Sequence, residues 1–126
     1  MFNIFQPYYN DNAFFRQQEL DYCLEHNDKN PLIENIFLFP ESSKDRIPKL
    51  SEKTHIIHYE RRVTYKDIVD YINNTVDAYR YYNLITNTDI YFDETLNLIK
   101  TIDMTNVCLA LTRWEVNINK PNEPPG

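Results

Sequence analysis

Apolar residues fall along this chain in short blocks separated by polar punctuation, and the blocks alternate between two periods. Phe2 to Gln6 reads as a first strand. Pro7 to Asn12 is turn-rich, and its Asn and Asp residues can cap a helix. From Ala13 to about Asn27 the period becomes helical, with Arg16, Leu20, Cys23, Leu24 and Asn27 on one stripe. The run Asn27-Asp28-Lys29-Asn30-Pro31 stops it. Ile33 to Phe39 is a second strand closed by Pro40. Glu41 to Lys53 is polar and reads as a surface loop. Thr54 to Tyr59 is a third strand. Thr64-Tyr65-Lys66-Asp67 has the form of a capping box with Asp in place of Glu. It opens a helix carrying Ile68, Val69, Tyr71, Ile72 and Val76. Tyr81 to Thr86 is a fourth strand. Asp93 begins a third helix with Leu96, Ile99 and Ile102, and Val107 to Thr112 is a fifth strand.

Strands alternating with helices predict an α/β, Rossmann-like fold, a mainly parallel sheet with helices on both faces. The runs Ile36 to Phe39 and Val107 to Leu111 fit strands covered on both sides. Residues 1–117 read as one domain and 118–126 as a Pro-rich tail that frays. In such sheets ligands bind beyond the carboxyl ends of the strands. That rim would gather Tyr8, Tyr9 and Asn10, then Glu60, Arg61 and Arg62, then Asn87 to Asp89, and Arg113 to Glu115.

Composition narrows the chemistry. The 42% hydrophobic content argues for a folded chain. The net charge of −6, with no cationic block longer than Arg61-Arg62, argues against a nucleic-acid partner. Glycine occurs once, at Gly126, which excludes Gly-rich phosphate loops and the Gly-x-Ser-x-Gly elbow. Cys23 and Cys108 have no metal spacing and read as buried free thiols. His55 and His58, three apart on a strand, point to opposite faces and cannot share an ion. His26, near a helix end, favours the dipole. No stretch reads as a signal peptide or a membrane span, so the expected setting is cytoplasmic, with no membrane segment.

The acidic cluster after the fourth strand carries the sharpest chemistry. Asn87 and Asp89 place two oxygen-bearing side chains at a strand end. Mg²⁺ or Mn²⁺ takes such oxygens together with those of a substrate phosphate. Asp89 is the expected metal ligand. Asp93 is a second candidate ligand, or equally a helix N-cap. Arg62 is a candidate diphosphate partner, placed just before a helix start. Tyr8 or Tyr9 can meet a nucleobase. Glu115 is a candidate base, and Trp114 beside it can pack over a cleft.

Asn87 to Asp93, followed by Leu109 to Glu115, resembles a family of glycosyltransferases of the GT-A type. That family carries an Asn-Ser/Thr-Asp-Ile-Tyr-Phe-Asp segment and a later Ala-Leu-Ser/Thr-Arg-Trp segment. Its opening is similar too, with a strand, paired aromatics and a helix bearing an Arg and Glu-Leu, here Arg16 and Glu19-Leu20. Arg62 to Asp67 is similar to its Arg-x-Thr-Phe/Tyr stretch. The resemblance implies a GT-A-type fold and a nucleotide-sugar donor bound through Mn²⁺ or Mg²⁺. Asn87 and Asp89 would stand for the Asp-x-Asp device, with an unspecified glycan or protein as acceptor. The chain stops soon after the Trp segment, so a donor-binding portion with an incomplete acceptor site is expected. Two other readings are a non-catalytic interaction module on the same sheet and a metal-dependent nucleotidyltransferase.

Overall fold

A computed structural model describes residues 2–42, 44–48, 50–59, 61–75, 80–105 and 107–110. Its elements follow in the order β1 (Phe2–Tyr8), α1 (Phe14–Lys29), β2 (Ile33–Pro40), β3 (Thr54–Ile56), α2 (Tyr65–Thr75), β4 (Tyr82–Ile85) and a 3-10 helix (Glu94–Thr101). The four strands form one sheet in the order β3-β2-β1-β4, and every pairing is parallel. The fold is therefore α/β and Rossmann-like. The chain first builds outward from β1 to β3, then crosses back to place β4 on the other side of β1. That reversal makes the β1/β4 boundary the topological switch point of the sheet.

Strand alternation sorts the core into two layers. Phe2, Ile4 and Tyr8 of β1 pack with Ile36 and Leu38 of β2, Leu24 of α1, and Leu96 and Ile99 of the 3-10 helix. Phe5 of β1 faces the opposite way and packs with Phe39 and with Ile68 and Ile72 of α2. Helices thus cover both faces. The stripe expected on α1 is the one that buries, through Leu20, Cys23, Leu24 and Asn27.

The capping box forms as drawn from the sequence. The Thr64 amide donates to Asp67 Oδ2 at 2.8 Å, and the Asp67 amide donates to Thr64 Oγ1 at 3.2 Å. The polar stretch 41–53 forms no helix or strand among its described residues. It is fastened from both sides. Asn10 pairs with the Arg46 backbone, and Asp28 accepts from the Ser51 amide, the Ser51 hydroxyl and the Thr54 hydroxyl.

The structure departs from several expectations. β1 runs on to Tyr8, through Pro7. Along β1 the odd-numbered residues turn their backbone toward β4, since Phe5 O accepts from the Thr86 amide. Pro7 therefore lacks its N–H on the side where β4 has already ended, and β1 loses nothing. β3 is shorter than expected: after the Ile57 amide donates to Leu38 O, the chain leaves the ladder. Ile57 and Tyr59 stay apolar because they still pack on the α2-side core. The third helix is 3-10 in form, not α.

The described part of the expected fifth strand, residues 107–110, has no ladder partner among the described residues, and Val107 and Leu109 are 46% and 39% exposed. An apolar run records a tendency to bury; a strand also needs a neighbour to pair with. Cys108 in that run is exposed, whereas Cys23 is buried. Val76, the rest of that run and the 118–126 tail lie outside the described residues. Among the described residues no helix is long and apolar enough to cross a membrane.

Candidate functional site

The switch point opens between the end of β1, the start of α1 and the turn after β4. Thr88 fixes the turn. Its hydroxyl donates to the Pro7 carbonyl at 2.5 Å, and its side chain is buried. This bond ties the outgoing chain of β4 to β1 and delivers Asp89 to the start of α1.

Arg16 meets it there. Its guanidinium sends Nη2 to Asp89 Oδ2 at 3.2 Å and toward the Tyr9 hydroxyl at 3.5 Å, while Nη1 donates to Glu19 at 3.0 Å. The Tyr9 hydroxyl, Glu19 and Asp89 together hold the guanidinium firmly protonated. The Asp89 side chain keeps 26% of its surface, and among the described residues no hydrogen bond reaches its Oδ1. The pair is partly covered, at 36% and 26% side-chain exposure, yet solvent still reaches the acid and screens it.

Arg16 brings two sequence candidates together, Asp89 and Tyr9; Asn87, two residues before Asp89, is exposed beside the turn. The others lie elsewhere or are engaged. Tyr8 is fully buried, and its hydroxyl donates to Asp21 Oδ1 at 3.0 Å and accepts from Gln17 at 3.1 Å. Burial, with the Asp21 charge adding, pushes this phenol up to about 12. Of the two tyrosines, Tyr9 is the one at the rim.

Asp93 caps the 3-10 helix, accepting from the Thr95 amide at 2.9 Å and the Thr95 hydroxyl at 2.5 Å. Those two bonds hold its carboxyl below the usual range. Arg62 is 83% exposed and reaches Glu41 at 3.5 Å, beyond the end of β2. Arg61 is taken up by both Asp67 oxygens, at 2.6 and 2.8 Å. Neither arginine touches Asp89. Glu115 and Trp114 lie outside the described residues.

Sequence reasoning missed Arg16 and Asn27 as members of this region. Asn27 is fully buried on α1. Its Nδ2 donates to the Ile90 carbonyl and its Oδ1 accepts from the Phe92 amide, both at 2.9 Å. Asn30 adds a bond from Nδ2 to the Phe92 carbonyl at 3.0 Å. Tyr91 between them packs its ring on His26 and Tyr22. These groups are part-buried, and leaving them without partners would cost up to about 1–3 kcal/mol each. The signal was available, since a polar residue on the core-facing stripe of a helix needs a specific partner.

Cys23 lies close behind the site. Burial pushes its thiol up to about 12, with the Asp89 and Glu19 charges adding, so it is protonated and no nucleophile at neutral pH.

The donor set defines what cation could be held. Among the described residues there is no group of three or more His, Cys, Asp or Glu side chains able to hold a metal. A closed protein cage is therefore not offered there. Asp89 with Asn87 suits instead a Mg²⁺- or Mn²⁺-type site in which one or two protein oxygens act and substrate phosphate supplies the rest. A surface depression of about 440 Å³ lies further down α1, lined by Tyr22, Glu25, His26, Lys29 and Asn30. Glu25, His26 and Lys29 are exposed helix surface, and His26 is engaged by the Tyr22 and Tyr91 rings, so the switch point remains the better-built site.

Compared with known proteins, the chain matches no family model, no curated protein and no solved structure.

Proposed function

We propose that this chain binds a nucleotide-sugar together with Mn²⁺ or Mg²⁺ in the β1/β4 crevice and serves glycosyl transfer of the GT-A type. The observation that carries the reading is the Asp89 carboxylate, held half-open at the switch point against Arg16. A metal–diphosphate complex has a cationic part and an anionic part. Asp89 suits the first and Arg16 the second, so a pair that neutralises itself without ligand is complementary to both halves of the donor. Asn87 adds a second oxygen near the metal, and Tyr9 offers a ring to the nucleoside. Arg16 takes the role expected of Arg62. When bound, the cation would stabilise the charge that develops on the leaving diphosphate. Glu115 is the candidate acceptor base by its place after the last expected strand alone, and a glycan or a protein is the acceptor the resemblance implies.

Thermal melting with UDP and GDP, each with and without Mn²⁺, tests this. A nucleotide at 100 times its Kd stabilises the folded state by about 2.7 kcal/mol. The midpoint should rise with nucleotide and Mn²⁺ together, and Asp89→Asn should remove the rise while the protein still folds.

One observation favours a second reading, an interaction module without turnover. Thr88, Asp89, Ile90, Phe92 and Asp93 each have an internal partner in Pro7, Arg16, Asn27 or Thr95. A wild-type melt indifferent to every nucleotide, combined with a lower midpoint for Asp89→Asn, would decide for that reading.

A further inference from the structure

We infer that Asn27 is the positioning residue for Asp89, acting as a strand neighbour carried on a helix. The inference rests on the nucleotide-sugar reading for its ligand, and on the contacts themselves for its geometry. β4 ends at Ile85, and the chain beyond it leaves the sheet. In a strand, the carbonyl of one residue and the amide of the residue two further on turn to the same side. A parallel neighbour satisfies both with one N–H and one C=O. The carboxamide of asparagine carries one donor side and one acceptor side. Asn27 presents these to the Ile90 carbonyl and the Phe92 amide, at 2.9 Å each. It therefore replaces the missing strand residue for the backbone immediately after Asp89.

Among the described residues the Asp89 carboxylate has one ion pair, to Arg16, and no stronger anchor. Its place is set by the backbone on either side: Thr88 bonded to Pro7 before it, and Ile90 and Phe92 bonded to Asn27 after it. Arg16 and Asn27 both belong to α1, eleven residues apart or about three turns. One rigid element thus holds the acid's charge partner and the bracket for the acid's backbone. Their separation fixes how Asp89 meets the guanidinium. If that bracket is released, the acid should drift from Arg16 even though neither side chain has changed.

The test uses Asn27→Asp, nearly the same shape but unable to donate to the Ile90 carbonyl, and Asn27→Gln, which keeps the amide on a longer stem. Two quantities are read in folded protein: the Arg16 Nε–Hε NMR signal and the affinity for Mn²⁺ with UDP. Both variants should shift the Arg16 signal toward its position in Asp89→Asn. They should also weaken Mn²⁺–UDP binding by about tenfold or more, as loss of an orienting partner does at metal sites. Asn27→Gln should recover part of the effect. If the wild type binds no Mn²⁺–UDP, the nucleotide-sugar reading fails and the Arg16 signal alone decides on Asn27. A folded variant with the wild-type Arg16 signal overturns the inference, as does unchanged Mn²⁺–UDP affinity in a wild type that binds. If Asn27→Asp does not fold, Asn27→Gln alone is judged by the same two readings.

Discussion

Gln6 sits in a central strand with no exposed surface, and among the described residues neither polar atom of its amide has a hydrogen-bond partner. A buried donor or acceptor left unmade costs about 1–3 kcal/mol. Replacing Gln6 with Met keeps the length and removes both polar atoms. Urea denaturation should find Gln6→Met more stable by about 1–3 kcal/mol. A loss of stability would show instead that the amide is satisfied by a molecule held inside, such as a buried water. Asn3, three residues earlier, is better served, since its Oδ1 accepts from Asn35 Nδ2 at 3.1 Å. The same question, of what a buried polar group bonds to, separates what could be read from the sequence at this scale from what could not. Thr64 and Asp67 were legible because their partners lie three residues apart. Arg16 meets Asp89 across 73 residues and Asn27 meets Ile90 across 63. Local spacing holds no trace of such a pairing; only the polar side chain on an apolar stripe hints that one exists.

At the scale of elements, the connection between β2 and β3 depends on Asp28 near the end of α1. Burial acts to raise this carboxyl, but the Thr54 and Ser51 hydrogen bonds outweigh it, with Lys53 adding, and the net shift is downward. A carboxyl whose folded value is depressed binds its proton more weakly when folded. Its contribution is full above the unfolded value, about 3.9, and is lost as pH falls through the folded value. Stability measured by denaturant between neutral pH and pH 2 should therefore fall less steeply for Asp28→Asn than for the wild type, by at most about 1.4 kcal/mol per pH unit. An identical slope would mean that Asp28 does not hold the loop in solution.

Element boundaries were the least legible part of the fold. The apolar block at Val107 has the composition of a strand but no partner among the described residues. The block at Thr54 to Tyr59 pairs over only three residues, because its later apolar side chains pack against α2 without continuing the ladder.

Across the whole molecule, β1 is the structural keel. It is bonded on both edges, to β2 and β4, and covered on both faces. Amides that open only when the entire domain unfolds should therefore lie in β1. Those of β3, a short edge strand, and of the 3-10 helix should exchange by smaller openings. Native-state hydrogen exchange measures this directly, and protection in β3 equal to that in β1 would contradict it. The layered architecture was legible because alternating blocks and helical stripes reflect which side of each element meets the core. The site was half legible. Asp89 could be placed at the rim from topology, but its guanidinium partner depended on how α1 lies across the sheet.

Pro7 carries a last consequence. In a parallel ladder the rung after the Thr86 amide to Phe5 carbonyl would run from the amide of residue 7 to the Thr86 carbonyl. An imino acid cannot supply it. The seam between β1 and the edge strand β4 is therefore unable to zip further through Pro7, and the mouth beside Asp89 is kept ajar by a proton that was never there.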